Sequence, residues 1–317
     1  MPNQIVLTSY FIMWHLLVIL ACLFVLSGWD DLFIDMYFWT RSFWRIRKKY
    51  HQDPLTYEQL VNRKEQKIAI LVPCWHEAGV IGTMLMHNCY SIDYKNYYIF
   101  VGVYPNDPAT IAEVQSVSNV FKQVKCVIGD TPGPTNKATN LNGIYRYVQA
   151  FEKTLDEPFN IFVFHDSEDI IHSLSFKLYN YHVPLEDMIQ IPVFPLEVGY
   201  FKFTHWLYAD EFAEIHTKDI VVRQDIKAHI PSAGVGTAFS QKALRILVET
   251  SGKNEPFSID SLTEDYRTSL ALRINNLRLA FVKQSITRVR WQKRFFWGVD
   301  MLLSPLKSIS QHAGCFL

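Results

Sequence analysis

Residues 5–28 form a long apolar run that contains no aspartate, glutamate, lysine or arginine. At about 1.5 Å of rise per residue, a helix of this length covers the roughly 30 Å hydrocarbon core of a bilayer. The chain is 49% hydrophobic and 15% aromatic, more than a soluble domain needs, and the excess lies near this end. The run therefore predicts a transmembrane helix. A cleaved signal peptide is the alternative, but the start MPNQ has no basic residue and no A-x-A-like site follows.

The next segment completes a predicted N-terminal region of residues 1–50. Its apolar residues, many of them aromatic, recur at helical spacing, which is typical of a helix lying along a membrane surface; the exit of one long helix is the alternative. Basic residues crowd its C-terminal end: Arg41, Arg45, Arg47, Lys48 and Lys49. Because an excess of lysine and arginine marks the cytoplasmic side of a span, we expect the chain after about residue 45 to lie in the cytoplasm.

Beyond a predicted polar linker over residues 51–66, the chain alternates between continuous apolar runs and amphipathic segments. The apolar runs predict buried strands and the amphipathic segments predict helices. Strands are expected at 68–73, 97–104, 124–130 and 159–166, and helices at 80–92, 111–123 and 138–155. This order predicts an α/β domain on a parallel, doubly wound sheet, extending over residues 67–285. Ligands bind beyond the carboxyl ends of such strands, where this chain places polar residues.

Charge, cysteines and glycine motifs exclude several classes of protein. Lysine plus arginine equal aspartate plus glutamate at 31 each, so no overall charge attracts nucleic acid, and no such partner is expected. The five cysteines show no C-x-x-C spacing, which argues against a zinc site or a disulfide framework. The absence of G-x-G-x-x-G after the first strand and of a P-loop disfavours ordinary dinucleotide and ATP sites.

The strongest local signal is HDSED at the end of the fourth strand, where Asp166, Glu168 and Asp169 fall within four residues. A hard cation such as Mg²⁺ or Mn²⁺ binds carboxylates and substrate phosphates together, so these acids are candidates for holding a metal against a diphosphate. The alternatives are a solvated acidic turn, or a helix N-cap in which Ser167 and the acids cap a helix that begins near Ile170.

A second acidic element, Glu264 and Asp265, stands at the start of a predicted helix with Thr263 as a possible cap. A carboxylate can accept the proton of an attacking hydroxyl, but the first turn of a helix also favours acids for electrostatic reasons alone. Between the two elements, Gly234 and Gly236 would let a sugar approach the backbone closely, or would simply form a tight turn.

Taken in order, these motifs resemble the inverting glycosyltransferases of family two, whose GT-A fold is a nucleotide-binding α/β sandwich. The resemblance covers roughly residues 67–275. VPCWHEAGVIG is similar to the opening P-x-x-N-E, with His76 in place of the asparagine and Glu77 retained. GPTNKATNLNGIY is similar to the G-K-x-x-A-L-N stretch. HDSED is similar to the D-x-D metal motif with glutamate as its second acid, SAGVGTAFS to the acceptor-side glycine segment, and TED to the catalytic-base motif.

The resemblance implies roles for particular residues. Asp265 would be the catalytic base with Glu264 beside it, and Asp166 and Glu168 would hold Mg²⁺ or Mn²⁺. Contacts to the substrates would come from the following residues: Glu77, Asp107, Lys137, Asn142, Gly234 and Gly236.

Longer sequence segments, including YYIFVGVYPNDPAT and MIQIPVFPLE, are similar to those of bacterial inner-membrane proteins of the phage-adsorption protein B type. That resemblance implies an exopolysaccharide synthase that uses a UDP-linked N-acetylhexosamine and a polysaccharide acceptor, acts in phage adsorption and works with an outer-membrane export partner.

One motif departs from the family pattern. Processive members carry Q-x-x-R-W after TED, whereas this chain has TRVRW, with Thr287 at the glutamine position before Arg290 and Trp291. We therefore expect residues 286–317 to be a shortened tail. A non-catalytic membrane scaffold or phage-uptake component of the same fold, and a sugar nucleotidyltransferase, stay open as alternatives.

Overall fold

A computed structural model describes residues 2–48, 55–196, 199, 201–261, 263–283 and 286–287. The chain divides into two units, residues 1–52 and 53–317. The predicted Arg290 and Trp291 lie outside the described residues.

The first unit is one helix, α1 (Pro2–Lys48). Its part Val6–Trp44 is long and apolar enough to cross a membrane, which makes it a candidate span. The helix passes through Gly28 without a break, and no proline in residues 29–48 forces one. Of the two alternatives for that segment, the continuation of one long helix is the observed one.

The second unit is built on a mixed sheet. Its strands are β1 (Leu55–Thr56), β2 (Ile68–Pro73), β3 (Tyr97–Val103), β4 (Val124–Ile128), β5 (Ile161–Phe164), β6 (Met188–Gln190), β7 (Thr237–Ser240), β8 (Leu279–Phe281) and β9 (Ile286–Thr287). Among the described residues, seven of them form one sheet in the order β4-β3-β2-β5-β7-β6-β8, and β1 pairs with β9 in parallel.

Helices connect most of these strands. They are α2 (Tyr57–Val61), α3 (Ile81–Ser91), α4 (Pro108–Val120), α5 (Lys137–Glu152), α6 (Ser175–His182), α7 (Phe203–Glu214), α8 (Ile220–Asp225), α9 (Gln241–Ser251) and α10 (Glu264–Ile274), with a π-helical turn, Ile215–Asp219, between α7 and α8. The four predicted strands and three predicted helices of the first half are all present, which confirms the α/β class.

Parallel pairing holds for β4, β3, β2 and β5, as the alternation of strands and helices predicts. The second half differs, because β7 runs antiparallel to both of its neighbours, β5 and β6. Phe164 at the end of β5 is therefore paired with Thr237 at the start of β7. The carboxyl ends of β2, β3, β5 and β6 and the entrance to β7 share one edge of the sheet.

The sheet is buried on both faces, which is why β2 reads as a continuous apolar run. Ile68, Ile70 and Val72 pack in one core with α3, α4 and α6. Ala69 and Leu71 point to the other face and pack in a second core with α5, α9 and α10. The result is a three-layer sandwich in which the loops at one edge of the sheet can provide the side chains of a functional site.

The predicted linker over residues 51–66 is folded in its second part, which corrects that boundary. Leu55 and Leu60 are buried in the core of the α/β unit. Thr56 caps α2 by accepting from the Gln59 backbone, and the Gln59 side chain accepts from the Thr56 backbone in return. Because the segment is mostly polar, the sequence pattern did not indicate that Leu55 and Leu60 would be buried.

Candidate active site

A cleft of about 390 Å³ opens at the carboxyl ends of β2 and β5. Four of the predicted site residues line it: Glu77, Lys137, Asp166 and Glu168. Glu77 follows β2, Asp166 and Glu168 follow β5, and Lys137 is the first residue of α5. Because β2 and β5 are parallel neighbours, their carboxyl ends meet at this point.

Lys137 and Asp166 form the central ion pair of the cleft, with 2.5 Å between Lys137 Nζ and Asp166 Oδ1. Burial alone would lower the pKa of Lys137, but the Asp166 carboxylate, with smaller contributions from Glu264 and Asp169, raises it overall. Lys137 is therefore a permanent cation at neutral pH. Its ammonium group could therefore also pair with the negative charge of a diphosphate in the cleft.

The turn that carries Asp166 is built around Asp169, which is itself buried. Asp169 Oδ2 accepts a hydrogen bond from the Asp166 backbone at 3.0 Å and lies 2.8 Å from His165 Nδ1. The buried Asn88 of α3 donates to the Asp169 carbonyl and accepts from the Ile171 backbone. Asp169 is thus a support for the turn, and Asn88 is a second support that the sequence patterns did not reveal.

The alternative explanation of HDSED as a helix cap is wrong. Within the described stretch after β5, no helix begins before Ser175. The acids at 166 and 168 therefore project into the cleft without serving as caps.

Asp166 and Glu168 suit a hard divalent cation that shares its coordination with phosphate oxygens. Burial raises the pKa of Glu168, the hydrogen bond from Ser167 Oγ opposes the rise, and the Asp166 and Asp169 carboxylates add to it, so a cation there would be favoured. Among the described residues there is no group of three or more histidine, cysteine or acidic side chains that could hold a metal alone. The two acids fit a metal only if a substrate completes the coordination.

An aromatic wall on the other side of the cleft was missed by the sequence analysis. Trp75 and Tyr104 line the cleft with their ring centroids 5.0 Å apart, edge to face. Tyr104 Oη lies 2.6 Å from Thr135 Oγ1, which fixes the ring. Tyr104 closes the apolar run of β3 and was counted there as part of the strand.

Asp107 was predicted to contact the substrate, but its side chain is only 3% exposed and holds the backbone instead. It caps α4 by accepting from the Thr110 backbone, and it accepts from the His76 backbone at 2.8 Å. His76 has a left-handed φ of 58°, a conformation in which asparagine and histidine are enriched among non-glycine residues. Burial opposes ionisation of Asp107, but these hydrogen bonds lower its pKa overall. Asp107 shapes the turn that presents Glu77.

Asn142 was also predicted to contact the substrate, and the structure places it away from the cleft. It is buried on α5, where its amide donates to the Phe257 carbonyl at 2.8 Å and accepts from the Phe257 backbone at 3.1 Å. Asn140, two residues earlier, is the asparagine of this helix that lines the cleft.

The predicted acceptor side brings Gly234 and Asp265 together. Gly234 has a φ of 74°, and a Cβ added to it would lie 2.9 Å from Asp265 Oδ2. Gly236, with a φ of 60°, faces Val193 and Ile191 instead. Glycine at 234 therefore keeps the space beside the Asp265 carboxylate open.

Glu264 links this side to the cleft electrostatically. Burial raises the pKa of Glu264, the Lys137 ammonium opposes the rise, and the carboxylates of Asp265 and Asp166 add to it. Thr263 occupies the N-cap position of α10, as predicted, but its side chain makes no capping hydrogen bond to the described part of the helix. The Thr263 backbone instead donates to Ser261 Oγ at 3.2 Å.

Residues 65–300 match the family model described as glycosyltransferase-like family 2. The match covers well over half of the chain. The chain belongs to glycosyltransferase-like family 2. Its α/β domain is a glycosyltransferase domain, and together with the mixed sheet the family confirms the predicted GT-A class.

Two curated relatives are similar over most of the chain. Bacteriophage adsorption protein B of Escherichia coli strain K12 and bacteriophage N4 adsorption protein B of Escherichia coli O157:H7 are each 40% identical over 280 residues, or 87% of this chain. The chain spans 37% of the length of each of these relatives.

The solved structures to which the chain is similar are more distant. A mannosyltransferase from Pyrobaculum calidifontis in complex with GDP-Man and Mn²⁺ is 16% identical, with a TM-score of 0.48 over 81% of this chain and 64% of that one. TarS 1–349 of S. aureus in complex with UDP-GlcNAc is 15% identical, with a TM-score of 0.44 over 71% of this chain and 60% of that one.

Proposed function

We propose that the domain is an inverting glycosyltransferase that moves a sugar from a UDP-sugar to a growing polysaccharide. The observation that carries this proposal is the meeting of Glu77, Lys137, Asp166 and Glu168 in one cleft of a family 2 domain. Asp265 stands on the acceptor side across Gly234. The charged cleft suits the diphosphate of a donor, and the Asp265 side suits the hydroxyl group that attacks its sugar.

The nucleotide end of the donor would occupy the aromatic part of the cleft. A base can pack on the partly exposed ring of Trp75, which the buried Tyr104 supports edge to face, and Thr135 Oγ1 lies within hydrogen-bond distance of the Tyr104 hydroxyl. Lys137 would exchange its hydrogen bond with Asp166 for one to a phosphate oxygen, which keeps its charge paired throughout. Glu77, presented by the turn that Asp107 supports, would contact the uridine.

Asp166 and Glu168 would hold Mg²⁺ or Mn²⁺ together with the phosphates of the donor. When bound, the metal would supply neutralisation of the negative charge that develops on the departing nucleotide. The pKa of Glu168 is raised by burial even though the carboxylate accepts a hydrogen bond from Ser167 Oγ, and a bound cation would favour its charged form.

The transfer would be a single in-line displacement. An acceptor hydroxyl oxygen forms a bond to the anomeric carbon on the face opposite the diphosphate, the bond from that carbon to the diphosphate oxygen breaks, and configuration inverts. Asp265 accepts the hydroxyl proton. Asp265 is preferred to Glu264 as the base because its carboxylate borders the space beside Gly234, whereas the charge of Glu264 is coupled to Lys137 on the donor side.

At the level of the whole protein, we infer an enzyme of the bacterial inner membrane with its catalytic domain in the cytoplasm. The candidate span in α1 and the basic residues that follow it support this orientation. The 40% identity to bacteriophage adsorption proteins supports a role in phage adsorption. An exopolysaccharide product, a UDP-N-acetylhexosamine donor and an outer-membrane export partner complete the proposal and rest on the family resemblance alone.

The experiment that tests this function is release of UDP from a panel of UDP-sugars by the membrane-reconstituted chain, with Mn²⁺ or Mg²⁺ and with EDTA as control. Metal-dependent release from one donor would establish the activity and identify the sugar. The absence of release from every UDP-sugar, in protein shown to be folded, would contradict the proposal and favour a non-catalytic membrane scaffold.

A further inference from the structure

One buried side chain, Gln190 at the end of β6, organises the loop that enters β7. Its side chain is fully buried, and both ends of the amide are used. Gln190 Nε2 donates to the carbonyls of Ile191 at 2.8 Å and Val235 at 3.0 Å. Gln190 Oε1 accepts from the Ala233 backbone at 2.9 Å and from Thr237 Oγ1 at 2.6 Å.

These bonds fix the residues on either side of Gly234. Ala233 precedes it and Val235 follows it, and each is bonded to the same amide. The Gly234 backbone also donates to Ser232 Oγ at 3.2 Å. The left-handed conformation of Gly234, and with it the space beside Asp265, is therefore set by a side chain on a different strand.

An amide in the middle of a sheet is costly to bury unless every polar atom is bonded. Glutamine is suited to this position because one planar group both donates and accepts. An apolar residue of similar size would fill the space but would remove the hydrogen bonds that Gln190 makes to Ala233, Val235 and Thr237. An ionised glutamate would turn an oxygen toward the carbonyls of Ile191 and Val235 and would repel them.

We propose that Gln190 is a positioning residue of the transfer reaction, whose amide holds the Gly234 loop at the distance from Asp265 that an acceptor hydroxyl requires. The inference rests on the proposed function, since Asp265 acts as a base only in a transferase. Gln190 is a hydrogen-bond partner of the acceptor-side loop and is not among the residues that line the donor cleft. It therefore acts on the acceptor side of the reaction.

The test compares Gln190→Met with Met188→Ala in the full membrane-reconstituted chain. Met188 is equally buried on the same strand, and its variant controls for the loss of core packing. For Gln190→Met, kcat should fall roughly 10²-fold, the loss that misplacement by about 1 Å can cause, while donor affinity stays unchanged. Met188→Ala should keep most of its kcat. Retained kcat in Gln190→Met, or an equal loss of donor affinity, would overturn the inference.

Hydrogen exchange and a second variant, Gln190→Glu, test the inference independently of the first comparison. Hydrogen exchange of the amides in residues 232–237 should be faster in Gln190→Met than in Met188→Ala, and equal exchange would overturn the inference without any assay of turnover. If Gln190→Met does not fold, Gln190→Glu preserves the shape and removes the donor, and it should lower kcat in the same direction; full activity in that variant would contradict the proposal. A wild-type chain that turns over no donor would instead contradict the proposed function.

Discussion

The proposed donor half of the site, around Lys137 and Asp166, and the proposed acceptor half, around Gly234 and Asp265, are assembled in different ways. In the donor half, parallel strands end at one edge, and the residues that follow β2 and β5 meet because the backbone brings them together. In the acceptor half, strands are short, β7 is antiparallel, and Gly234 reaches Asp265 from a loop that side chains hold in place. The donor cleft should therefore tolerate changes in single supports better than the acceptor side does.

The largest expected effect is on the acceptor side. Asp265→Asn keeps the size of the side chain but removes the carboxylate that would accept the proton. Transfer should fall by roughly 10²–10⁴-fold while donor binding is retained. Turnover with each UDP-sugar and donor affinity by calorimetry measure the two halves separately. Normal transfer in this variant would remove Asp265 as the base.

The matching change on the donor side is Asp166→Ala. It removes one of the two acids at the end of β5 and leaves Lys137 without its 2.5 Å partner. Metal-dependent donor affinity should fall by at least about 10–100-fold, the loss that even an outer partner of a metal ligand causes. The exposed Glu249 on α9 provides the control variant Glu249→Ala. Unchanged donor affinity with Mn²⁺ in Asp166→Ala would exclude the metal role.

A smaller change tests the space beside Asp265. Gly234→Ala places a methyl group 2.9 Å from Asp265 Oδ2, whereas Gly252→Ala has a similar φ of 65° and meets nothing within 4 Å. Both variants bear the left-handed strain of about 1–2 kcal/mol. Only Gly234→Ala should also lose transfer, by about tenfold, which corresponds to about 1.4 kcal/mol on the barrier.

Comparison of the two alanine variants by thermal unfolding and by turnover separates strain from obstruction. Equal loss of turnover in both would show that the Gly234 position has no special relation to Asp265.

The smallest expected effect is on stability. Burial raises the folded-state pKa of Glu168, so its ionised form costs stability at any pH above the ordinary pKa of about 4.3. Below that pH the carboxyl is protonated in both states and the cost disappears. In the absence of metal, Glu168→Gln should therefore raise the melting temperature at pH 7, and the gain should vanish near pH 4. A lower melting temperature at pH 7 would contradict a net cost of ionising the Glu168 carboxyl in the folded state.

The difference between the two halves also explains which features could be predicted from the sequence. The strands of the donor half were predicted from their apolar runs, and the acids after β5 from their place at a strand end. Asn142 and Asp107 were given substrate roles, yet the structure uses both to hold backbone loops, because a motif does not show which way a side chain points. Gln190 was missed because its hydrogen-bond partners at 233–237 are distant from it in sequence. The direction of β7 could not be predicted, because a short buried strand has the same apolar pattern whether it is parallel or antiparallel.

The most direct measurement of the central claim is a crystal structure of the α/β unit, or of the full chain in detergent, with UDP and Mn²⁺. The account predicts the diphosphate beside Lys137, with the metal between it and the carboxylates of Asp166 and Glu168, in the cleft at the ends of β2 and β5. A nucleotide bound instead in the neighbouring cavity of about 290 Å³, lined by Asp130 and Arg146 near the end of β4, would contradict it.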